Sequence, residues 1–173
     1  MRESVFQGEW IRSLLHFYPD AHTWKIPDMP RSAESRFVPS KPYDCYLFRN
    51  GKFIAMELKW QKTLTAFPFG AVSEWQVKNL QQVQDNRGFP FVILNVRCGS
   101  IPDKTMKTYG LTSARLNTAL AIPISLFTAM DSTLDRASIP FDDLYFNSEI
   151  QHVEWSGGLW DVRDFVENIG GKK

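Results

Sequence analysis

Asp44, Glu57 and Lys59 are the residues of this chain whose types and spacing could do chemistry together. Asp44 stands near the start of the run 43–49 (YDCYLFR), and Glu57-Leu58-Lys59 closes the run 52–59 (KFIAMELK). Asn50-Gly51 lies between the two. Strand-like runs joined by Asn-Gly predict a β-hairpin, because both turn residues tolerate the positive φ of a type I′ turn. Antiparallel pairing across that turn sets position 44 opposite about position 57. Positions 57 and 59 are two apart on a strand and share a face. The expected result is two carboxylates and an ammonium at one end of one sheet face. Phe53-Ile54-Ala55-Met56 is a near-continuous apolar run, the pattern of a strand buried on both faces. Charges at the end of such a strand are costly unless paired or metal-bound. Paired carboxylates suit a hard cation such as Mg²⁺, which prefers oxygen ligands. Lys59 would then hold a phosphate oxygen or orient an attacking water. The bland alternative is a strand end at which Glu57 and Lys59 reach solvent and Asp44 caps a turn.

The surrounding pattern supplies elements to carry these groups. Residues 5–18 place Phe6, Trp10, Leu14 and Phe17 on one helical face, and Pro19 ends the helix. Residues 22–27 read as a short strand, and 28–42, with four prolines in or beside it, as an irregular basic connection. After a loop over 60–72, Ser73 opens a helix to about Arg87 with Gly88 as its stop, and 90–96 (PFVILNV) is a buried-type strand. Beyond this core the expectations are a basic loop over 97–111, a strand over 119–124 and a helix over 126–133 capped by Ser125. Residues 139–146 are ambiguous, and 158–169 reads as a final helix with Leu159, Val162, Phe165 and Val166 on one face. The fold class is α/β, a central mixed sheet flanked by helices. One domain spans 1–173, with a core over about 5–96 and a C-terminal elaboration over 97–173.

Composition narrows the function classes. At 173 residues, with 43% hydrophobic and 23% charged side chains, the chain is a globular domain rather than a disordered one. Two cysteines exclude a disulfide scaffold. No apolar stretch is long enough to cross a membrane, and MRESVFQGEW lacks an apolar signal core, so a cytoplasmic location is expected and membrane partners are not. The net charge of +1 conceals an asymmetry: residues 25–107 carry thirteen basic and seven acidic side chains, and residues 108–173 five basic and nine acidic. The middle of the chain thus suits an anionic partner.

Asp44…Glu57-Leu58-Lys59 resembles the PD-(D/E)xK nuclease motif, and the stretch KPYDCYLFRNGKFIAMELKW resembles archaeal-type Holliday-junction resolvases. The continuation, with Thr65-Ala66-Phe67-Pro68-Phe69, then Trp75-Gln76-Val77, then FPFVILNV, resembles RecU-type Holliday-junction resolvases over about residues 42–96. The proline stands two residues before Asp44, and residues 19–41 replace a longer basic stalk. The resemblance implies a restriction-endonuclease-like core. The activity it implies is that of a homodimeric endonuclease dependent on Mg²⁺ (or Mn²⁺), cutting four-way DNA junctions by paired symmetric nicks. Asp44 and Glu57 would ligate the metal, the Leu58 carbonyl would be a third oxygen, and Glu9 would bind directly or through water. Lys59 would stabilise the scissile phosphate or position the water. The resemblance also brings Gln76 to the active site, although Ser73-x-x-Gln76 is equally a capping box.

Lys25, Arg31, Arg36 and Lys41 are expected to contact phosphates from outside the carboxylate cluster, with Lys62 as a further basic contact and Trp75 placed to stack or to pack. The residues of the dimer interface are left open, the first helix with Phe6, Trp10 and Phe17 being the candidate contact. His16, His22 and His152 lack metal-ligand spacing, and Cys45 and Cys98 read as small core residues. The alternatives are a nuclease of the same fold acting on another DNA structure, or an inactive DNA-binding module.

Overall fold

In the computed structural model, residues 3–27 and 41–170 are described. The chain begins with α1 (Glu3–Phe17). Its Phe6, Trp10 and Leu14 recur every four residues and are fully buried, which is what fixes its inner face. Tyr18 still donates to the Leu14 carbonyl at 2.9 Å; Pro19, without an N–H, ends the helix.

β1 (His22–Lys25), β2 (Cys45–Arg49) and β3 (Lys52–Gln61) form an antiparallel set. Asn50 and Gly51 adopt φ of 51° and 73°, so the type I′ hairpin forms where Asn-Gly predicted it. β4 (Phe67–Pro68) and a 3₁₀ turn lead into α2 (Glu74–Asp85) and then β5 (Phe89–Cys98), which runs parallel to β3. A parallel pair needs a crossover, and α2 provides it. Next come α3 (Asp103–Tyr109), β6 (Leu116–Pro123), α4 (Ile124–Thr133), β7 (Ser138–Ile139) and α5 (Phe141–Tyr145). The chain closes with β8 (Gln151–Ser156), β9 (Leu159–Trp160) and α6 (Arg163–Asn168). The main sheet has the order β1-β2-β3-β5-β6-β8-β9. Among the described residues β3–β5 is its one parallel pair, and β4–β7 make a separate two-stranded ribbon.

Strand alternation splits the interior into two cores. Ile54, Met56, Leu58 and Ile93 pack against α1 and α6 through Phe6, Trp10, Leu14 and Phe165. Ala55, Val92, Leu94, Leu120 and Ile122 face α2 and α4 through Leu80 and Phe127. The protein is thus α/β, a mixed central sheet with helices on both faces.

Several local expectations are corrected. Residues 97–111 contain α3, ended by Gly110 at φ 63°, the left-handed position that glycine takes most readily. Ser125 lies inside α4 rather than capping it, since the helix starts at Ile124 after Pro123. The final helix is confined to Arg163–Asn168. Leu159 and Trp160 instead pair with Ser156 and Trp155 across Gly157-Gly158, whose φ values are 60° and 86°. At the end of α2 the left-handed residue is Arg87 (φ 65°) and not Gly88. Gly88 is needed for space: a Cβ there would lie 2.5 Å from Val83 Cγ1 and 3.2 Å from the Phe53 carbonyl. The segment 97–173 supplies three strands of the main sheet and part of the core under α1. Ser13 ties this end in, its hydroxyl donating to the Glu9 carbonyl at 2.8 Å and accepting the Trp160 N–H at 2.9 Å.

Candidate active site

The hairpin register decides where the chemistry sits. The β2–β3 ladder closes on Cys45–Met56, and Asp44 follows at once, its N–H donating to the Met56 carbonyl at 3.1 Å. Cys45 and Leu47 point into the α1 core, so Asp44 and Tyr46 face the other way. Likewise Met56 and Leu58 point toward α1, leaving Glu57 and Lys59 on the α2 side. Asp44 and Glu57 are each 1% exposed. The bland alternative of a strand end at which Glu57 reaches solvent is therefore overturned.

Each acid has its own set of partners. Asp44 Oδ2 accepts the Leu58 N–H at 2.8 Å, and Oδ1 lies 2.6 Å from Lys41 Nζ. Glu57 Oε1 meets Lys59 Nζ at 2.8 Å and accepts from Gln76 Nε2 at 2.6 Å. Glu57 Oε2 is buried with no hydrogen-bond partner. Burial, and then the charge of Asp44, push the Glu57 carboxyl up to about 7, against the pull of Lys59 and Lys41. The neighbouring Cys45 thiol is pushed well up by its complete burial and by both acids, which makes it a packing group and not a nucleophile.

Gln76 joins this cluster while also capping α2. Its Oε1 accepts the Ser73 N–H at 2.9 Å, and its own N–H donates to Ser73 Oγ at 3.3 Å, completing the capping box. That leaves the Nε2 end for Glu57. The two readings of Gln76 hold together because an amide has a separate donor end and acceptor end.

Other candidates are distributed more widely. Glu9 is on α1, the opposite side of the sheet, where Arg97 NH2 meets its Oε2 at 2.7 Å and NH1 its Oε1 at 3.4 Å. Among the described residues no three His, Cys, Asp or Glu side chains are grouped to hold a metal ion, so Glu9 is not brought to Asp44 and Glu57. Leu58 reaches Asp44 through its N–H. Lys25 pairs in register with Cys45, next to Asp44, and is exposed, as is Lys62 just beyond β3. Trp75 is 47% exposed at the start of α2. Arg31 and Arg36 lie outside the described residues. Lys41 was expected outside the carboxylate cluster and is inside it, because a three-residue step from Asp44 folds its ammonium back onto Oδ1. No pattern of residue types marks such a contact. Phe6 and Trp10, candidates for the dimer contact, are fully buried against Trp160 and Phe165 and cannot serve as one.

The donor set at Asp44 and Glu57 is all oxygen, with one buried oxygen of Glu57 unpartnered. Two carboxylates with no soft ligand fit Mg²⁺, which keeps several waters and takes one or two carboxylates alongside substrate phosphates. No protein-family model matches the chain, and no curated protein matches it. Among the described residues, no helix is long and apolar enough to cross a membrane.

Proposed function

We propose that this protein is a Mg²⁺- or Mn²⁺-dependent endonuclease of PD-(D/E)xK type that cuts branched DNA, nicking four-way junctions as a homodimer in the manner of the RecU-type enzymes it resembles. The observation that carries the reading is the convergence of Asp44, Glu57 and Lys59 in one buried cluster at the end of the β2–β3 hairpin, with Gln76 reaching in from α2. Such isolation of two acids and a lysine in low dielectric is costly for stability and finds its use in chemistry on a charged group.

A divalent cation held by Asp44 and Glu57 would polarise a phosphate oxygen and lower the pKa of an attacking water. The chain's own groups divide the remaining work. The Leu58 N–H orients the Asp44 carboxylate, and Gln76 fixes the Glu57 carboxylate through Oε1, leaving Oε2 for a ligand. Lys59, 15% exposed, stands at the mouth, where its ammonium can stabilise charge growing on a phosphate oxygen. Lys41 offsets the charge of Asp44, and its ammonium would be placed to pair with a phosphate were a cation held at that carboxylate.

The test is cleavage of a four-way junction, a linear duplex and a flap, each with Mg²⁺, with Ca²⁺ and with excess chelator. Mg²⁺-dependent paired nicks in the junction, abolished by Asp44→Asn, Glu57→Gln and Lys59→Ala with junction binding retained, support the proposal. Cleavage in excess chelator, or near-normal turnover in Glu57→Gln, overturns it. Tight DNA binding without cleavage under any metal identifies a silent binding module instead.

A further inference from the structure

We propose that the open sheet face beside the carboxylates is a stacking platform for the unpaired bases of single-stranded DNA. The inference rests on the DNA-cleaving reading for the identity of the polymer. Its physical basis is separate. On the face that carries Asp44 and Glu57, the register places Trp24 against Tyr46, and Phe48 against both His22 and Phe53. Trp24 is 55% exposed and Phe48 46%, high values for large apolar rings on a sheet. Tyr46 and Phe53 are half-buried beneath them, their ring centroids 5.1 Å apart, and the His22 ring lies 5.6 Å from Tyr46. Three antiparallel strands thus present a continuous aromatic surface that ends at the proposed scissile site.

A cavity of about 400 Å³ extends the surface toward α2. Tyr43 and Phe53 form its aromatic wall, and Asn79, Gln82 and Asn86 line the helix side. Rings offer stacking to any base, and side-chain amides offer both donors and acceptors to base edges. The charge on this face is confined to the adjoining site, where Lys41 and Lys59 stand beside Asp44 and Glu57; Lys25, Arg49 and Lys52 alternate to the α1 side. A flat aromatic surface continuous with that site suits single-stranded nucleic acid, whose bases expose π-faces that a duplex hides. The inference therefore gives the proposed site a preference for junctions whose arms open beside the scissile phosphate.

The test measures binding of a fluorescent twelve-residue oligodeoxythymidylate and of a blunt duplex of equal length, both in chelator so that cleavage plays no part. Trp24→Ala and Phe48→Ala should each weaken the single strand by about fivefold or more, with duplex affinity changed by less than about twofold. Trp24→Leu and Phe48→Leu guard against a folding artefact. They keep apolar bulk and lose the ring, and should weaken the single strand nearly as much; Trp24→Phe should retain it. Unchanged single-strand affinity in the alanine variants overturns the platform. So does retention in the leucine variants, which would make the effect one of packing. A lower sedimentation mass in Trp24→Ala, with DNA binding unaltered, would assign the face to self-association and also overturn it. Loss of metal-dependent cleavage with normal single-strand binding would count against the nuclease reading and leave the platform standing.

Discussion

Replacing Glu57 by Gln should make the metal-free protein more stable at alkaline pH and leave it nearly unchanged in acid. The carboxyl is 1% exposed, one oxygen has no partner, and Asp44 lies beside it. Its folded-state pKa is about 7, against an ordinary value of 4.5. Between those two pH values the native chain keeps a proton that the unfolded chain has released. Stability therefore falls as pH rises from about 4.5 to about 7 and levels off above. The full change is about 3 kcal/mol, since each unit of pKa difference corresponds to about 1.4 kcal/mol. The amide introduced by Glu57→Gln cannot ionise and still accepts from Gln76, so the variant's profile lacks this decline. Urea unfolding in chelator at pH 4, 6 and 8 reads the effect directly. The wild-type and variant midpoints should nearly coincide at pH 4 and separate by roughly 1–2 M at pH 8, the variant being higher. Mg²⁺ at pH 8 should raise the wild-type midpoint and not that of the variant. Asp44→Asn should shrink the pH dependence without removing it, because burial is the larger cause and the Asp44 charge the second. Parallel wild-type and Glu57→Gln profiles from pH 4 to 8 would refute the argument that burial of this acid is what raises its pKa.

Arg31→Gln with Arg36→Gln should reduce the slope of log K against log salt for junction binding by up to about 2 units, without slowing single-turnover cleavage at saturating enzyme. Lys41→Gln, by contrast, should alter the chemical step, because Lys41 lies 2.6 Å from Asp44; an unchanged single-turnover rate in that variant would argue against its place in the site. Gly88→Ala should cost about 1–3 kcal/mol in urea unfolding, since its Cβ meets Val83 and the Phe53 carbonyl. A cost below about 0.5 kcal/mol would show that the end of α2 yields freely. Sedimentation should give a mass near twice 20.0 kDa, with the contact outside Phe6 and Trp10; a monomer that still makes paired nicks would contradict the dimer.

What could be read along the chain is what short-range physics decides. The Asn50-Gly51 turn, the four-residue recurrence of Phe6, Trp10 and Leu14, and the Ser73–Gln76 capping box each depend on neighbours within a few residues. Because the turn sets the register, the apposition of Asp44 with Glu57 and Lys59 was legible too. The C-terminal hairpin carried a comparable signal in Gly157-Gly158. The helical spacing of Leu159, Val162, Phe165 and Val166 masked it, and pairing with Trp155 and Ser156 prevailed over that spacing. The rest depended on which face each element covers. Local pattern makes Glu9 an acid on a helix; the packing of α1 against the far side of the sheet gives it to Arg97. Lys41 reaches Asp44 by a local three-residue step, whereas Gln76 came to serve both a cap and a carboxylate only because the start of α2 converges on Glu57. The raised Glu57 pKa has the same origin, since it comes from burial by segments distant in sequence. Spacing along a chain sets direction within one element, whereas desolvation and pairing depend on every element packed around a group.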